Sequence, residues 1–147
     1  MRISTKGRYG VRACLELASR YGENAIHISQ IAKARGIPEK YLAQLIHILK
    51  KAGLVKSSRG ARGGYVLSRP PADISVGEVV EALEGPLTLV ECVEKPASCE
   101  RVPVCATRVL WCQVSDSIKK NLNSVTLEDL VRIEREGKSP GAEMYYI

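Results

Sequence analysis

Val11, Cys14, Leu15 and Ala18 recur at i, i+3, i+4 and i+7. One apolar stripe at that spacing predicts an amphipathic helix over about 8–21, ended by Gly22. Cys14 lies on the stripe and reads as a small core hydrophobe. Two further helical patterns follow, 27–35 and 38–52, separated by Gly36-Ile37. Gly36 suits the turn and Pro38 the first turn of the later helix, where its missing N–H costs nothing. This is helix-turn-helix grammar. In the second helix Tyr41, Leu42, Leu45, Ile48 and Leu49 form the inward stripe, and Lys40, Ala43, Gln44 and His47 share the opposite side, which suits entry into a major groove.

After Gly53 the period becomes extended: 54–58 and 65–68 read as strands flanking Arg59-Gly60-Ala61-Arg62-Gly63-Gly64. Two strands around a glycine-rich basic loop make a hairpin, here with Arg59 and Arg62 at its tip. No Gly-Lys-Ser/Thr follows, which disfavours a nucleotide-phosphate loop. The order predicts a fold that is mostly α with a small β hairpin: a winged helix-turn-helix domain plus a long dimerisation helix.

Pro70-Pro71 closes the hairpin, and Ser75 with Glu78 forms a capping box for a helix carrying Val76, Val79, Val80 and Leu83. Residues 87–105 show no period and read as a loop bearing Cys92, Cys99 and Cys105. A longer helix over 106–123 carries Leu110, Val114, Ile118 and Leu122 at i+4 intervals. It has little core of its own to cover, which predicts packing in a homodimer with two DNA-reading heads for a palindromic operator. Thr126 and Asp129 cap a last helix over 127–136. The expected division is a winged-helix DNA-binding domain at 1–72, a cysteine-loop sensor and dimerisation region at 73–136, and a flexible tail at 137–147.

Charge sharpens this picture. Residues 1–72 hold 14 Lys and Arg against three Glu, a net of +11, whereas 73–147 hold eight against 13 acidic residues, a net of −5. The basic half predicts a polyanion partner, double-stranded DNA. The N-terminus lacks the apolar run of a signal peptide and no 18-residue apolar span occurs, so a cytoplasmic protein without membrane association is expected. In that compartment five cysteines argue against a disulfide framework and for metal or redox chemistry. Cys92, Cys99, Cys105 and Cys112 are separated by six, five and six residues. No C-x(2–4)-C zinc knuckle is present, but by spacing alone an iron–sulfur cluster, zinc and a reactive-thiol switch all stay open.

Arg2, Lys6-Gly7-Arg8-Tyr9, Gly36-Ile37, Tyr41-Leu42, Gln44-Leu45, Gly53-Leu54-Val55, Arg59-Gly60, Gly63-Gly64-Tyr65, Val76-Gly77-Glu78, Leu110-Trp111 and Thr126-Leu127 occur in one order. In that order and spacing the chain resembles the IscR-type family of winged-helix repressors, which includes nitric-oxide-sensing relatives. The resemblance implies a homodimer crossing through the long helix and an iron–sulfur cluster, 2Fe-2S in preference to 4Fe-4S, on Cys92, Cys99 and Cys105. It also implies that cluster loss or modification changes which promoters are bound. IscR-type members place a histidine ligand three residues after the third cysteine, where this chain has Arg108, and arginine cannot ligate iron. Nor does Arg8 offer the carboxylate that nitric-oxide-sensing relatives recruit. Cys112 is the candidate fourth ligand, set against core packing beside Trp111.

The resemblance places 38–51 as the recognition helix, in agreement with the outward face of Lys40, Gln44 and His47. Gln44 can bond adenine bidentately, Arg59 and Arg62 suit a minor groove or flanking phosphates, and Arg2, Lys6 and Arg8 suit the backbone. Ala43, where IscR-type members can carry Glu, offers a contact to a thymine methyl instead. The function expected is a DNA-binding transcriptional regulator, a repressor, controlled by the cluster. The alternative is a regulator of the same fold without a cluster, switched by cysteine oxidation, a metabolite or a partner protein. With only His27 and His47 and no convergent acid/base set, the chain is not expected to be an enzyme.

Overall fold

The first helix starts earlier than its apolar stripe. In the computed structural model, which describes residues 1–137, α1 spans Thr5–Ser19 because Ser4 caps it: the Ser4 Oγ accepts from the Gly7 N–H at 3.4 Å. The carboxylate of Glu84 reinforces this end by accepting from the Ser4 and Gly7 N–H groups at 2.9 and 3.1 Å. The helix stops at Ser19 rather than Tyr21, and Gly22 then takes a φ of +88°. The rest of the tail expected at 137–147 lies outside the described residues.

α2 (Ile28–Arg35) opens with a capping box in which His27 Nδ1 accepts from the Ser29 N–H and Gln30 Oε1 accepts from the His27 N–H. It closes on Gly36 at φ +62°, a left-handed turn that a side chain would strain. α3 (Glu39–Lys51) follows after three residues, Gly36, Ile37 and Pro38, with Pro38 as its N-cap rather than inside the first turn. Its buried face is Leu42, Leu45, Ile46 and Leu49; Ile46 joins the expected stripe, while Tyr41 and Ile48 are half-buried at its edges.

β1 (Val55–Ser58) and β2 (Gly64–Leu67) pair antiparallel with Val55 opposite Leu67 and Ser58 opposite Gly64. Ile26, just before α2, adds a bridge by exchanging both backbone hydrogen bonds with Tyr65 at 3.0 and 2.9 Å. A Cβ on Gly64 would run into the Ile26 backbone, so this junction requires glycine. The hairpin is thus anchored to the segment entering the helix-turn-helix.

α4 (Val76–Glu84) carries the expected Ser75–Glu78 capping box. The connection read as a loop contains a single helical turn, α5 (Glu91–Glu94), and two 3-10 turns at Pro96–Ser98 and Val102–Val104. α6 (Ala106–Asn123) and α7 (Leu127–Glu136) follow, the latter with the Thr126–Asp129 capping box.

One hydrophobic cluster unites Ala13, Cys14 and Leu17 of α1, Ile31 of α2, the α3 stripe, Leu54, Val55 and Leu67 of the hairpin, Val79 and Leu83 of α4, and Leu127 and Val131 of α7. The core therefore runs across residue 72, with α4 and α7 closing over α1. α6 stands apart: Ser115 is its single buried residue, and Leu110 remains 50% exposed and Val109 59%. No helix among the described residues is long and apolar enough to cross a membrane.

Candidate nucleic-acid interface and cysteine loop

Burial of Leu42, Leu45 and Leu49 fixes the rotation of α3, and that rotation leaves Lys40, Ala43, Gln44 and His47 exposed on its outer side. Tyr9 meets Tyr41 edge-on with ring centroids 5.9 Å apart, bracing α1 against the start of α3. Arg59 and Arg62 are exposed in the turn between β1 and β2. Arg2 and Arg8 are exposed and Lys6 is half-buried around the start of α1. Arg12 lies one turn beyond Arg8, its guanidinium 5.4 Å from the centre of the Tyr9 ring.

The sequence reading missed a groove between the start of α2 and the hairpin tip. Arg20, His27, Ser29, Gln30 and Arg62 line it, with a volume of about 510 Å³. The capping pattern at His27-Ile28-Ser29-Gln30 was legible, but its closeness to Arg62 depends on the Ile26–Tyr65 bridge. That bridge has no periodic signal in the sequence.

All five cysteines are free thiols. Cys14 is fully buried in the core, and burial pushes its thiol up to about 12, as the sequence led one to expect of a packing residue. Cys92, Cys99, Cys105 and Cys112 are half-buried. Cys92 lies in α5, Cys99 follows the first 3-10 turn, and Cys105 is the N-cap of α6. The Thr107 hydroxyl, 3.2 Å from Cys105 Sγ, is the main group holding that thiol below its ordinary value; the Arg108 backbone N–H and the charge of Arg101 act in the same direction. A thiolate here also faces the positive end of an 18-residue helix.

Arg108 occupies the position at which IscR-type members carry a histidine ligand. Its Nε donates to the Cys92 carbonyl at 3.0 Å, and Ser115 Oγ accepts from the Leu89 N–H at 3.2 Å. Both bonds tie the cysteine connection to α6. As to an iron–sulfur group, three accessible thiols on one connection fit its donor chemistry. Among the described residues, however, no three His, Cys, Asp or Glu side chains converge as a metal-holding group, and Arg108 supplies a cation where a ligand is needed. Cys112, seven residues or about two helical turns beyond Cys105, does not complete such a group.

A helix-turn-helix followed by a basic two-stranded hairpin defines a winged-helix transcriptional regulator. The family model for Rrf2, described as an iron-dependent transcriptional regulator, matches residues 3–133, and the chain belongs to this family. It is 44% identical over 147 residues to the HTH-type transcriptional regulator CymR of Bacillus subtilis, covering the whole of both chains. To Protein rrf2 of Nitratidesulfovibrio vulgaris it is 43% identical over 132 residues, 90% of this chain and 88% of that one. Among solved structures it is similar to CymR (YrzC), the global cysteine regulator of B. subtilis, with a TM-score of 0.75 and 45% identity over 90% of this chain and 97% of that chain. The similarity to T. potens IscR gives a TM-score of 0.76 and 41% identity over 99% and 97%.

Proposed function

We propose that the chain is a homodimeric repressor that binds a palindromic operator and is controlled through the cysteine connection at 92–105. The exposed outer face of α3 carries the DNA reading: Gln44 reads an adenine, Ala43 contacts a thymine methyl, and Lys40 and His47 flank them. Arg59 and Arg62 hold the minor groove or its phosphates, and Arg2, Lys6 and Arg8 hold the backbone. His27, Ser29 and Gln30 extend this surface beside Arg62. Two copies meet along α6, whose first half exposes Val109, Leu110 and Trp111 and whose stripe at Val114, Ile118 and Leu122 is only half-buried, so this face needs a cover. The role is regulation rather than catalysis.

For the signal we favour an iron–sulfur cluster bound by Cys92, Cys99 and Cys105, 2Fe-2S rather than 4Fe-4S. Three half-buried thiols on one connection support this, as does the similarity to IscR. The group would supply a ligation state sensitive to iron supply or oxidants. The protein's own part is mechanical: Arg108 and Ser115 fasten the connection to α6, so a change of loop conformation is passed to that helix. The ligand at the fourth position is then not residue 108.

A second reading has its own support. Cys105 at a helix N-terminus beside Thr107 is placed to act as a nucleophilic thiol, and a similar solved structure is the oxidized form of Staphylococcus aureus CymR. In that reading the same connection switches by thiol oxidation, without a cluster. Iron and acid-labile sulfide assays with absorption spectra, on anaerobically purified wild type and Cys105→Ala, separate the two. Visible absorption lost in the variant supports the cluster. A colourless wild type that stays free of iron after reconstitution overturns it in favour of the thiol.

A further inference from the structure

Arg35 is the last residue of α2, immediately before the Gly36 turn that launches α3. Its guanidinium joins three helices. Nε donates to Glu16 Oε2 of α1 at 2.7 Å, while the two terminal nitrogens donate to the two carboxylate oxygens of Glu134 in α7. The Arg35 and Glu16 side chains are only 15% and 13% exposed, whereas Glu134 is 45% exposed. The Glu134 arm is bidentate, a geometry that fixes orientation as well as distance.

The position of α7 is itself specified. Three residues separate it from α6, and this junction is pinned to the start of α4 and the residues before it: Val76 N–H donates to the Val125 carbonyl at 2.8 Å, and Leu127 N–H to the Ile74 carbonyl at 2.9 Å. Cysteine connection, α6, α7 and Arg35 thus form one continuous set of bonded contacts ending at the helix-turn-helix.

We propose that Arg35, held by Glu134, is a positioning residue that sets α2 and α3 for operator reading according to the placement of α6 and α7. The proposal rests on the DNA-binding reading above and deepens it. The Glu134 end of the pair is nearly half exposed, so its contribution to stability is modest and the main effect belongs in recognition.

Glu134→Gln is the informative substitution because two effects oppose each other. It removes a negative charge, which by long-range electrostatics strengthens DNA binding. Loss of the clamp instead weakens binding to the operator. The operator is obtained by letting wild-type protein select from randomised duplexes, and affinities for it and for an unselected duplex are then titrated across a salt series. The expected result is a loss of operator affinity of about threefold to thirtyfold, the range for residues that couple distant sites. The unselected duplex should bind no more weakly than to wild type, with the salt slope unchanged, and Arg35→Lys, which loses the fork but keeps its charge, should lose operator affinity in the same range. Hydrogen exchange should quicken in α2 and α3 of the variant but not in α1. Operator affinity equal to or above wild type in Glu134→Gln overturns the proposal, as does an equal loss on both duplexes with a shallower salt slope, the mark of a direct phosphate contact. If wild type selects no sequence, the DNA-binding reading fails, and this inference with it.

Discussion

In the proposed function Gln44 and Arg59 carry different parts of DNA recognition, and their variants should separate accordingly. Gln44→Ala should lower affinity by about 1–3 kcal/mol for the selected operator and relax preference at a single base pair. Arg59→Ala should weaken binding on all sequences and reduce the salt slope by about one, as loss of one phosphate contact requires. Titration of both variants on operator and unselected duplex distinguishes these outcomes, and a Gln44→Ala protein with unaltered base preference would remove α3 from the reading role. The cysteines divide just as sharply. In folded, metal-stripped protein at pH 8, iodoacetamide should leave Cys14 unmodified and alkylate Cys105 first, read out by peptide mass spectrometry, because burial raises one thiol and the Thr107 hydroxyl lowers the other. The buried role of Cys14 was legible from its place on an i, i+3, i+4 stripe. The bond from Arg108 to the Cys92 carbonyl was not, since it spans a loop whose path no local pattern encodes.

Among the elements, those with caps or periodic stripes were readable and those set by tertiary contacts were not. The capping boxes at Ser75–Glu78 and Thr126–Asp129 start α4 and α7 where the sequence motif indicates. α1 starts at Thr5 because Ser4 and Glu84 cooperate across 80 positions, a pairing invisible to a local window. The α6 stripe has a direct consequence. Leu110→Asp should leave the monomer folded, because that side chain is half exposed in it, and shift the protein toward monomer in sedimentation. Dimers of unchanged affinity would show that another surface joins the copies. The ion pairs add a pH dependence. Hydrogen bonding from Arg35 holds the Glu134 carboxyl below its usual value, and Ser4 does the same for Glu84. Both therefore bind fewer protons folded than unfolded, so their stabilisation is present above the ordinary carboxylate range and is lost as pH falls through the folded values. Urea midpoints measured downward from neutral pH should drop in that acid range, with a shallower drop in Glu134→Gln.

For the molecule as a whole, the division of charge into a basic first half and an acidic second half is not a division of the fold, since one hydrophobic core serves both. The helix-turn-helix and hairpin were legible because each has its own period and its own glycines. The return of α7 onto α1 was not, because Leu127 and Val131 look like any short amphipathic stripe until their partners are known. This return makes control through the cysteine connection mechanically reasonable: α6 cannot shift without acting on a helix embedded in the DNA-binding core. Operator affinity of anaerobically purified protein, before and after the thiols at 92, 99 and 105 are stripped of metal and alkylated, tests that control most directly, with the Cys92→Ala, Cys99→Ala, Cys105→Ala triple variant as the untreated reference. Control through this connection predicts an affinity change of about tenfold or more in wild type and none in the triple variant. Equal affinity in both states of the wild type would contradict it.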